Sequence, residues 1–412
     1  MPMRGFAVER RLTGASPHLR LRRRIYGGEA LRNRWTILAV LFTVRLAMAF
    51  QFQSVAAVAP LLGSAFGVGL GDIGILIGLY FTPGIVLALP GGAIGQKFGD
   101  KQTVLLALLL MLLGSLMMAL SASWTMQIAG RLVSGGGGVL LNVQMTKMVT
   151  DWFAGREIAT AMGIFVNSWP AGVAIALLTL PSIGTAYGIA AVYLAVAALS
   201  GLGFVLLAAG YRSPPNSTVN VASSERLDRH SAMAVILAGL IWGLFNVGFA
   251  MAFSFGPSML VERGWSIAAA GSTISILLWL TTISVPSGGY LADRTGRPEL
   301  LLVGGAILSA MLMIALPRSG AVIPIVIALG LISGLPAGPI MSLPARALAP
   351  ATRAIGMGIF YAVYYTVMML GPAIGGACAK WTGSAAAAFD FGAAAVLVCP
   401  LLLWGFRRIP AA

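Results

Sequence analysis

Charged residues are scarce in this chain of 412 residues. They make up only 9% of the sequence, whereas 58% of the residues are hydrophobic and the mean hydropathy is +0.91. Soluble domains carry about 25% charged residues, so this composition excludes an ordinary soluble domain. A membrane-spanning helix needs about 20 apolar residues. Residues 35–408 therefore have room for about twelve such helices, which predicts an all-α membrane protein.

Cysteine, histidine and acids within the apolar runs are also nearly absent. The chain has two cysteines and two histidines, and Cys378 and Cys399 fall near opposite ends of different predicted helices. This pattern implies neither a disulfide nor a metal cluster. An enzyme would need a nucleophile with its base, paired acids or metal ligands, and no such set is present. We therefore expect no cofactor, no metal and no catalytic activity.

Positive charge is in excess, but its distribution is uneven. The net charge is +15, and nine arginines precede Trp35. Twelve further Lys and Arg fall in alternate loops, whereas the loops between them hold only Arg263, Arg318 and Lys380. Basic loops face the cytoplasm. The pattern therefore predicts an integral protein of the inner or plasma membrane with both chain ends cytoplasmic, and it argues against a nucleic-acid partner.

A long internal polar segment divides the apolar part of the chain. It covers 211–230 and is rich in Ser, Pro and charged residues, which is typical of a linker. The predicted organisation is a basic cytoplasmic tail at 1–34, an N-terminal six-helix bundle at 35–210, a cytoplasmic linker at 211–231 and a C-terminal six-helix bundle at 232–408.

A short, charged, glycine-containing turn occurs twice between apolar runs. The copies begin at Gly92 and Gly289, 197 residues apart, which predicts two homologous membrane halves. The second copy, G-x-L-A-D-R-x-G-R, resembles the loop motif of the major facilitator superfamily of secondary transporters. The resemblance implies two pseudo-symmetric six-helix bundles, usually in a monomeric protein, that move around a central site.

The same resemblance implies a gate at these turns. Asp293 and its neighbouring arginines are expected to latch the two halves in one conformation. In the first copy Gln96 stands where the motif has Asp, and Asp100 where it has a basic residue, so that gate is expected to be weaker or differently connected. The gating residues predicted from the two copies are Gly92, Gln96, Lys97, Asp100, Gly289, Asp293, Arg294 and Arg297.

Arg131 begins an R-x-x-x-G-x-G pattern that resembles the fourth-helix motif of the same family. Two interpretations stay open for it: an arginine bonded to neighbouring backbone, and a residue that takes part in coupling or gating. Asp390 is the only acid inside a predicted span. It joins the coupling set because intramembrane acids commonly relay protons.

Arg45 is the most informative single residue. It lies about ten residues into the first predicted helix, near the middle of the membrane at about 1.5 Å per residue. A cation at that depth costs at least about 2.5–3.5 kcal/mol, so it should face a cavity or a partner. Because Asp390 is predicted near the outer end of the last helix, we expect Arg45 to bind an anion. A structural arginine satisfied by backbone is the alternative.

Polar and aromatic residues predict the rest of the central site. Asn167 and Tyr364 are separated by the repeat offset of 197, which places them at matching depths in the two halves. For each aromatic residue alone, packing or lipid contact is the commoner role. The predicted substrate-binding residues are Arg45, Gln53, Asn142, Asn167, Trp169, Asn246, Trp279, Tyr364 and Tyr365.

The favoured function is secondary active transport of a small organic or inorganic anion by alternating access. The midplane arginine and the lack of buried acids are similar to the anion-handling branches of the superfamily, such as cyanate, nitrate and organic-acid carriers. The expected partners are this anion and the lipid bilayer, with a co-transported proton or a counter-anion left open. Efflux of amphipathic compounds, a channel, and a non-transporting scaffold on the same fold are the alternatives.

Overall fold

The computed structural model describes residues 17–88, 90–153, 158–213, 227–348 and 352–409. Each regular element in these ranges is an α-helix. Helices satisfy their own backbone hydrogen bonds, which lipid cannot do for them. The long apolar segments of the sequence therefore fold as helices, and the prediction of an all-α membrane protein is confirmed.

The first half contains eight helices in the described ranges. The first begins at Pro17, within the predicted tail, and not at Trp35. Another, α8, contains two crossings that reverse direction at Gly188, whose φ of 83° favours glycine. The helices are α1 (Pro17–Ala57), α2 (Ala59–Phe66), α3 (Leu70–Leu79), α4 (Thr82–Leu87), α5 (Gly91–Phe98), α6 (Asp100–Ala119), α7 (Trp124–Phe153) and α8 (Ile158–Gly210).

The second half also contains eight described helices. The first of them is capped by Asp228, whose carboxylate accepts from the backbone N–H groups of His230 and Ser231. The helices are α9 (Arg229–Glu262), α10 (Ile267–Thr295), α11 (Pro298–Arg318), α12 (Val322–Ser333), α13 (Ala337–Met341), α14 (Leu343–Ala347), α15 (Arg353–Thr382) and α16 (Ala386–Phe406).

The described helices cross the bundle twelve times, six times in each half. Ten helical stretches are long and apolar enough to span a membrane, and one of them holds both crossings of α8. The 30-residue α7 is the remaining crossing. The second crossing is divided into α3, α4 and α5, and the tenth into α12, α13 and α14. The predicted two-bundle architecture is confirmed. Most of the predicted linker, residues 214–226, lies outside the described residues.

The two sides of the bundle differ in how the halves meet. We call the side of Gly99 and Gly296, which holds both motif turns, the motif side, and the side of Gly188 and Gly383 the distal side. On the distal side α3 packs against α15, where a Cβ on Gly74 would lie 2.2 Å from the carbonyl oxygen of Pro372. The halves are therefore in close backbone contact on the distal side.

Candidate functional site

A cavity of about 160 Å³ lies between the two halves at mid-depth. Each half supplies a part of its wall. The break between α3 and α4 and the break between α12 and α13 both lie in this wall. Non-helical backbone at membrane depth is tolerated where it lines a cavity. The chemistry of the wall is aromatic and amide-rich, with one cationic side chain. Its main polar and aromatic groups are Arg45, Asn142, Asn167, Asn246, Trp169, Trp242, Tyr364 and Tyr365.

Arg45 reaches the cavity from α1 and is only partly satisfied by the protein. Its Nε donates to Oδ1 of Asn142 at 3.3 Å, and its Nη1 donates to the carbonyl of Phe165 at 3.0 Å. The guanidinium also lies 4.6 Å from the centroid of the Phe165 ring. A guanidinium has five N–H donors. Both donors on Nη2 lack an acceptor among the described residues.

The charge of Arg45 is not neutralised by a neighbouring acid. The cavity wall formed by the described residues contains no Asp and no Glu, and their carboxylates all lie beyond 4.0 Å from this guanidinium. A buried cation without a partner is costly in a membrane protein. The free donors of Arg45 are therefore available to a bound anion.

Asn142 connects Arg45 to the second half. Its Oδ1 accepts from Arg45, and its Nδ2 donates to the hydroxyl of Tyr365 at 3.2 Å. The Tyr365 ring in turn stacks on Phe81, with 6.1 Å between the ring centroids. This chain of contacts runs from α1 through α7 to α15 and crosses the cavity. The structure thus brings together three of the predicted site residues in one hydrogen-bonded group.

The other amides occupy different parts of the wall. Asn167 donates from Nδ2 to the carbonyl of Thr282 in the second half at 3.1 Å. Asn246 donates to the carbonyl of Trp242 one turn earlier on α9, at 2.8 Å. Val166, the neighbour of Asn167, lines the cavity and is 41% exposed.

Two predicted binding residues lie outside the cavity wall. Gln53 is fully buried and bonds to the carbonyl of Phe253. Trp279 is 42% exposed on α10, where a spanning helix borders lipid. Neither helix has a marked polar stripe. The sequence alone therefore does not show which side of each helix faces the cavity. The remaining seven predicted binding residues line the cavity.

The sequence analysis missed Tyr80 and Phe81, which line the cavity between α3 and α4. Proline disfavours a helical conformation at the residue before it and breaks the helix that it interrupts. Pro83 follows these two aromatic residues closely, and α3 ends at Leu79. An aromatic pair just before a proline in an apolar run is the signal that would have located this part of the wall.

Arg131 lies outside the cavity and is fully buried. Its three nitrogens donate to three backbone carbonyls, those of Leu76 at 3.1 Å, Gln51 at 3.1 Å and Phe52 at 2.7 Å. Leu76 lies in the last turn of α3, where carbonyls lack helical partners and the helix dipole favours a cation. This geometry fits the structural interpretation, in which Arg131 joins α7 to α1 and α3.

In the second copy Asp293, Arg294 and Arg297 are exposed, whereas Gly289 lies half-buried inside α10. Asp293 makes no hydrogen bond or ion pair with any residue in the described ranges. Arg294 donates to the hydroxyl of Tyr290 at 3.2 Å, within its own helix. Gly296 ends α10 with a φ of 63°, and Arg297 follows it as an exposed residue. Among the described residues these side chains make no contact with the first half, and the latch stays a prediction.

The first-copy residues form contacts within their own half. Asp100 pairs with Lys147 at 2.5 Å, and Lys147 also contacts Asp151 at 3.2 Å. Lys97 is exposed, with its ammonium 5.5 Å from the centroid of the Phe98 ring. The surroundings of Gly92 and the side chain of Gln96 lie outside the described part of the structure. The expectation of a differently connected gate at this copy stays a prediction.

Asp390 pairs with Arg318 on the distal side, where both carboxylate oxygens accept at 2.8 Å. The side chains are 43% and 54% exposed, and an exposed ion pair contributes at most about 1 kcal/mol. We expect Asp390→Asn to keep initial uptake within about twofold of wild type and to lower the melting temperature by less than about 3 °C. Uptake at pH 6 and pH 8 checks this. Loss of a wild-type pH dependence would instead identify Asp390 as a coupling residue.

Comparison with known proteins gives one family. The protein-family model described as Major Facilitator Superfamily matches residues 41–345 and 232–412 of this chain. The chain is similar to the hexuronate transporter of Bacillus subtilis (strain 168), with 20% identity over 287 residues, 66% of this chain and 68% of that protein. It is also similar to the nitrite extrusion protein of the same organism, with 24% identity over 262 residues, 61% of this chain and 64% of that protein. These matches span about two thirds of either relative.

Solved structures match over nearly the whole chain. The D-xylose–proton symporter superposes with a TM-score of 0.76 at 15% identity, over 92% of this chain and 98% of that one. A bacterial homologue of the human lysosomal transporter Spinster gives a TM-score of 0.68 at 16% identity, over 91% and 95% of the two chains. At such identities the likeness shows a common fold and does not specify a substrate.

Proposed function

The chain belongs to the major facilitator superfamily, and from that premise we propose that it moves a small anion across the membrane by alternating access. The superfamily and the fold establish a membrane transporter of small solutes. The anionic substrate is the part that rests on the site. The observation that carries it is the guanidinium of Arg45, which faces the cavity with both Nη2 donors free of described acceptors.

A single cation in the wall favours a substrate with one negative charge. The asparagine amides and the tyrosine hydroxyls of the wall supply neutral donors for further oxygen atoms. The aromatic rings around them suit an apolar or flat part of the substrate. The names of two relatives, a hexuronate transporter and a nitrite extrusion protein, both refer to anions. They support the anion class without choosing between a carboxylate and an inorganic anion.

The charge distribution supports an orientation with the motif side in the cytoplasm. The basic residues of these loops that lie in the described ranges, such as Lys101, Arg297 and Arg407, lie on that side, as the positive-inside rule requires of cytoplasmic loops. In this orientation the linker of 211–231 is cytoplasmic. The proposal also places the protein in the inner or plasma membrane as a monomer. The halves then meet on the outer side in this conformation. The direction of transport and a co-transported proton or counter-anion are separate questions for flux measurements.

The test is ligand stabilisation of the detergent-purified full chain, with nitrate, nitrite, cyanate, acetate, lactate and glucuronate as probes. We expect at least one of these anions to raise the melting temperature. In Arg45→Ala its apparent affinity should fall roughly 30- to 100-fold, because a charge-assisted hydrogen-bond partner is removed from a buried site. The apparent affinity of Arg45→Lys should lie between those of wild type and Arg45→Ala, because lysine keeps the charge but lacks the planar guanidinium.

Arg318→Ala is the matched control, since it removes an arginine from an exposed pair away from the cavity. It should bind the same anion as tightly as wild type. Uptake of that anion into proteoliposomes should follow the same order among the variants. Anion binding that survives Arg45→Ala would overturn the proposal. Stabilisation only by organic cations or neutral amphiphiles would favour efflux of amphipathic compounds instead.

A further inference from the structure

Gln53 is a fully buried amide outside the cavity wall, and it joins the two halves. It lies in the last turns of α1, near the distal side. Its Nε2 donates to the carbonyl of Phe253 on α9 at 3.1 Å. Among the described residues its Oε1 has no partner. Phe52 and Phe253 pack edge to face beside this bond, with 6.3 Å between the ring centroids, so apolar rings border the contact between α1 and α9.

The carbonyl of Phe253 is available because of a proline. In an α-helix this oxygen would accept from the N–H of the residue four positions later. That residue is Pro257, which lies inside α9 and has no N–H. A carbonyl without a donor is unfavourable at membrane depth, where water does not replace the missing partner. Gln53 of the opposite half supplies the donor.

The same chemistry occurs at a second contact between the halves. Asn167 donates to the carbonyl of Thr282, and the residue four positions after Thr282 is Pro286, inside α10. The two contacts differ in depth. Asn167 lies beside the cavity, about a third of the way along its crossing from the motif-side end, whereas Gln53 lies between the cavity and the distal surface. Only the Gln53 contact lies where the halves must part for the cavity to open distally.

We propose that Gln53 is a closure residue, which stabilises the distally closed conformation by donating to the carbonyl that Pro257 leaves free. When the halves part on the distal side, water reaches this carbonyl and replaces the amide. The bond therefore favours one conformation over the other, and it does not contribute to substrate contact. The proposal rests on the alternating access proposed above and is independent of the anion.

The experiment measures the distance between the halves on the distal side by double electron–electron resonance. Spin labels are placed at Ala122→Cys and Gly320→Cys, two exposed positions in distal turns of opposite halves. The background carries Cys378→Ala and Cys399→Ala, which removes the two native thiols. The full chain is reconstituted in lipid nanodiscs without added substrate, so the result does not depend on knowing the anion.

Gln53→Met keeps the length of the side chain and removes the donor. We expect it to raise the ratio of the long to the short distal distance roughly fivefold to tenfold, the factor that loss of one buried hydrogen bond produces. Pro257→Ala restores a helical N–H to the Phe253 carbonyl. In that background Gln53→Met should change the ratio by less than about twofold, since the carbonyl now has its own donor.

Two results would overturn the proposal. One is an unchanged distance distribution in Gln53→Met. The other is the same shift with and without Pro257→Ala, which would assign the effect to packing. Because Pro257→Ala completes a helical hydrogen bond, the paired variant is expected to fold even if Gln53→Met alone is unstable. These outcomes leave the Arg45 experiment untouched, so the closure role and the anion proposal can fail independently.

Discussion

Arg131→Leu is expected to lower the melting temperature of the purified protein by roughly 10 °C, the largest stability effect of a single side chain that we predict. Leucine fills much of the space but removes the guanidinium donors from the carbonyls of Leu76, Gln51 and Phe52, of which, among the described residues, only that of Gln51 keeps a side-chain donor, the Ser54 hydroxyl. Each unsatisfied buried polar group costs about 1–3 kcal/mol. The substitution also removes the cation–π contact of Arg131 with Tyr80, whose ring centroid lies 4.7 Å from the guanidinium carbon.

The control is Arg318→Leu, which removes an arginine from an exposed pair and should lower the melting temperature by less than about 3 °C. Arg131→Lys should lower the melting temperature about as much as Arg131→Leu. A single ammonium group does not reach the three carbonyls that the planar guanidinium contacts. Thermal unfolding followed by tryptophan fluorescence measures all three variants. If Arg131→Leu were as stable as wild type but inactive in transport, the coupling interpretation would replace the structural one.

The architecture was predictable because it follows from composition and charge. The scarcity of charged residues and the length of the apolar runs indicate spanning helices, and the repeat that begins at Gly92 and Gly289 indicates two related halves. The start of α1 at Pro17 was not predictable in this way. The arginine-rich segment before Trp35 lacks the apolar pattern on which the prediction depended.

The site was predictable where the cost of burial decides a residue's position. Arg45 was assigned to the cavity because a midplane cation without an acid must face a polar space, and the structure places it there. Gln53 and Trp279 were assigned by type and depth alone. A neutral polar or aromatic side chain is tolerated in the cavity, between helices or beside lipid. Its side of the helix therefore depends on helix rotation, which packing sets.

The conformation that the structure adopts could not be predicted from any pattern in the sequence. The motif around Asp293 predicts a latch on the motif side, but the described residues there are exposed, and the close contacts lie on the distal side. A transporter of this kind has at least two stable arrangements of the same halves. The latch predicted from the motif would belong to another arrangement, whereas the bonds of Gln53 and Asn167 are seen in this one.

The distal contact between α3 and α15 depends on glycine, which leads to the second prediction. A Cβ on Gly74 would lie 2.2 Å from the carbonyl oxygen of Pro372 and 3.0 Å from Cα of Gly376. Both neighbours are backbone atoms, which cannot rotate away as a side chain can. Gly74→Leu should therefore prevent distal closure as seen here and hold the halves apart on that side.

We expect Gly74→Leu to reduce the initial transport rate roughly 5- to 150-fold, the range that corresponds to overpacking costs of about 1–3 kcal/mol on one of two conformations. The spin-label pair in the distal turns should report the long distance as the main population. Gly201→Leu is the matched control, since no atom lies within 4 Å of a Cβ built on Gly201. It should transport like wild type. A folded Gly74→Leu protein with the short distance and normal transport would show that α3 and α15 shift to accommodate the side chain, and that their glycine contact does not limit the cycle.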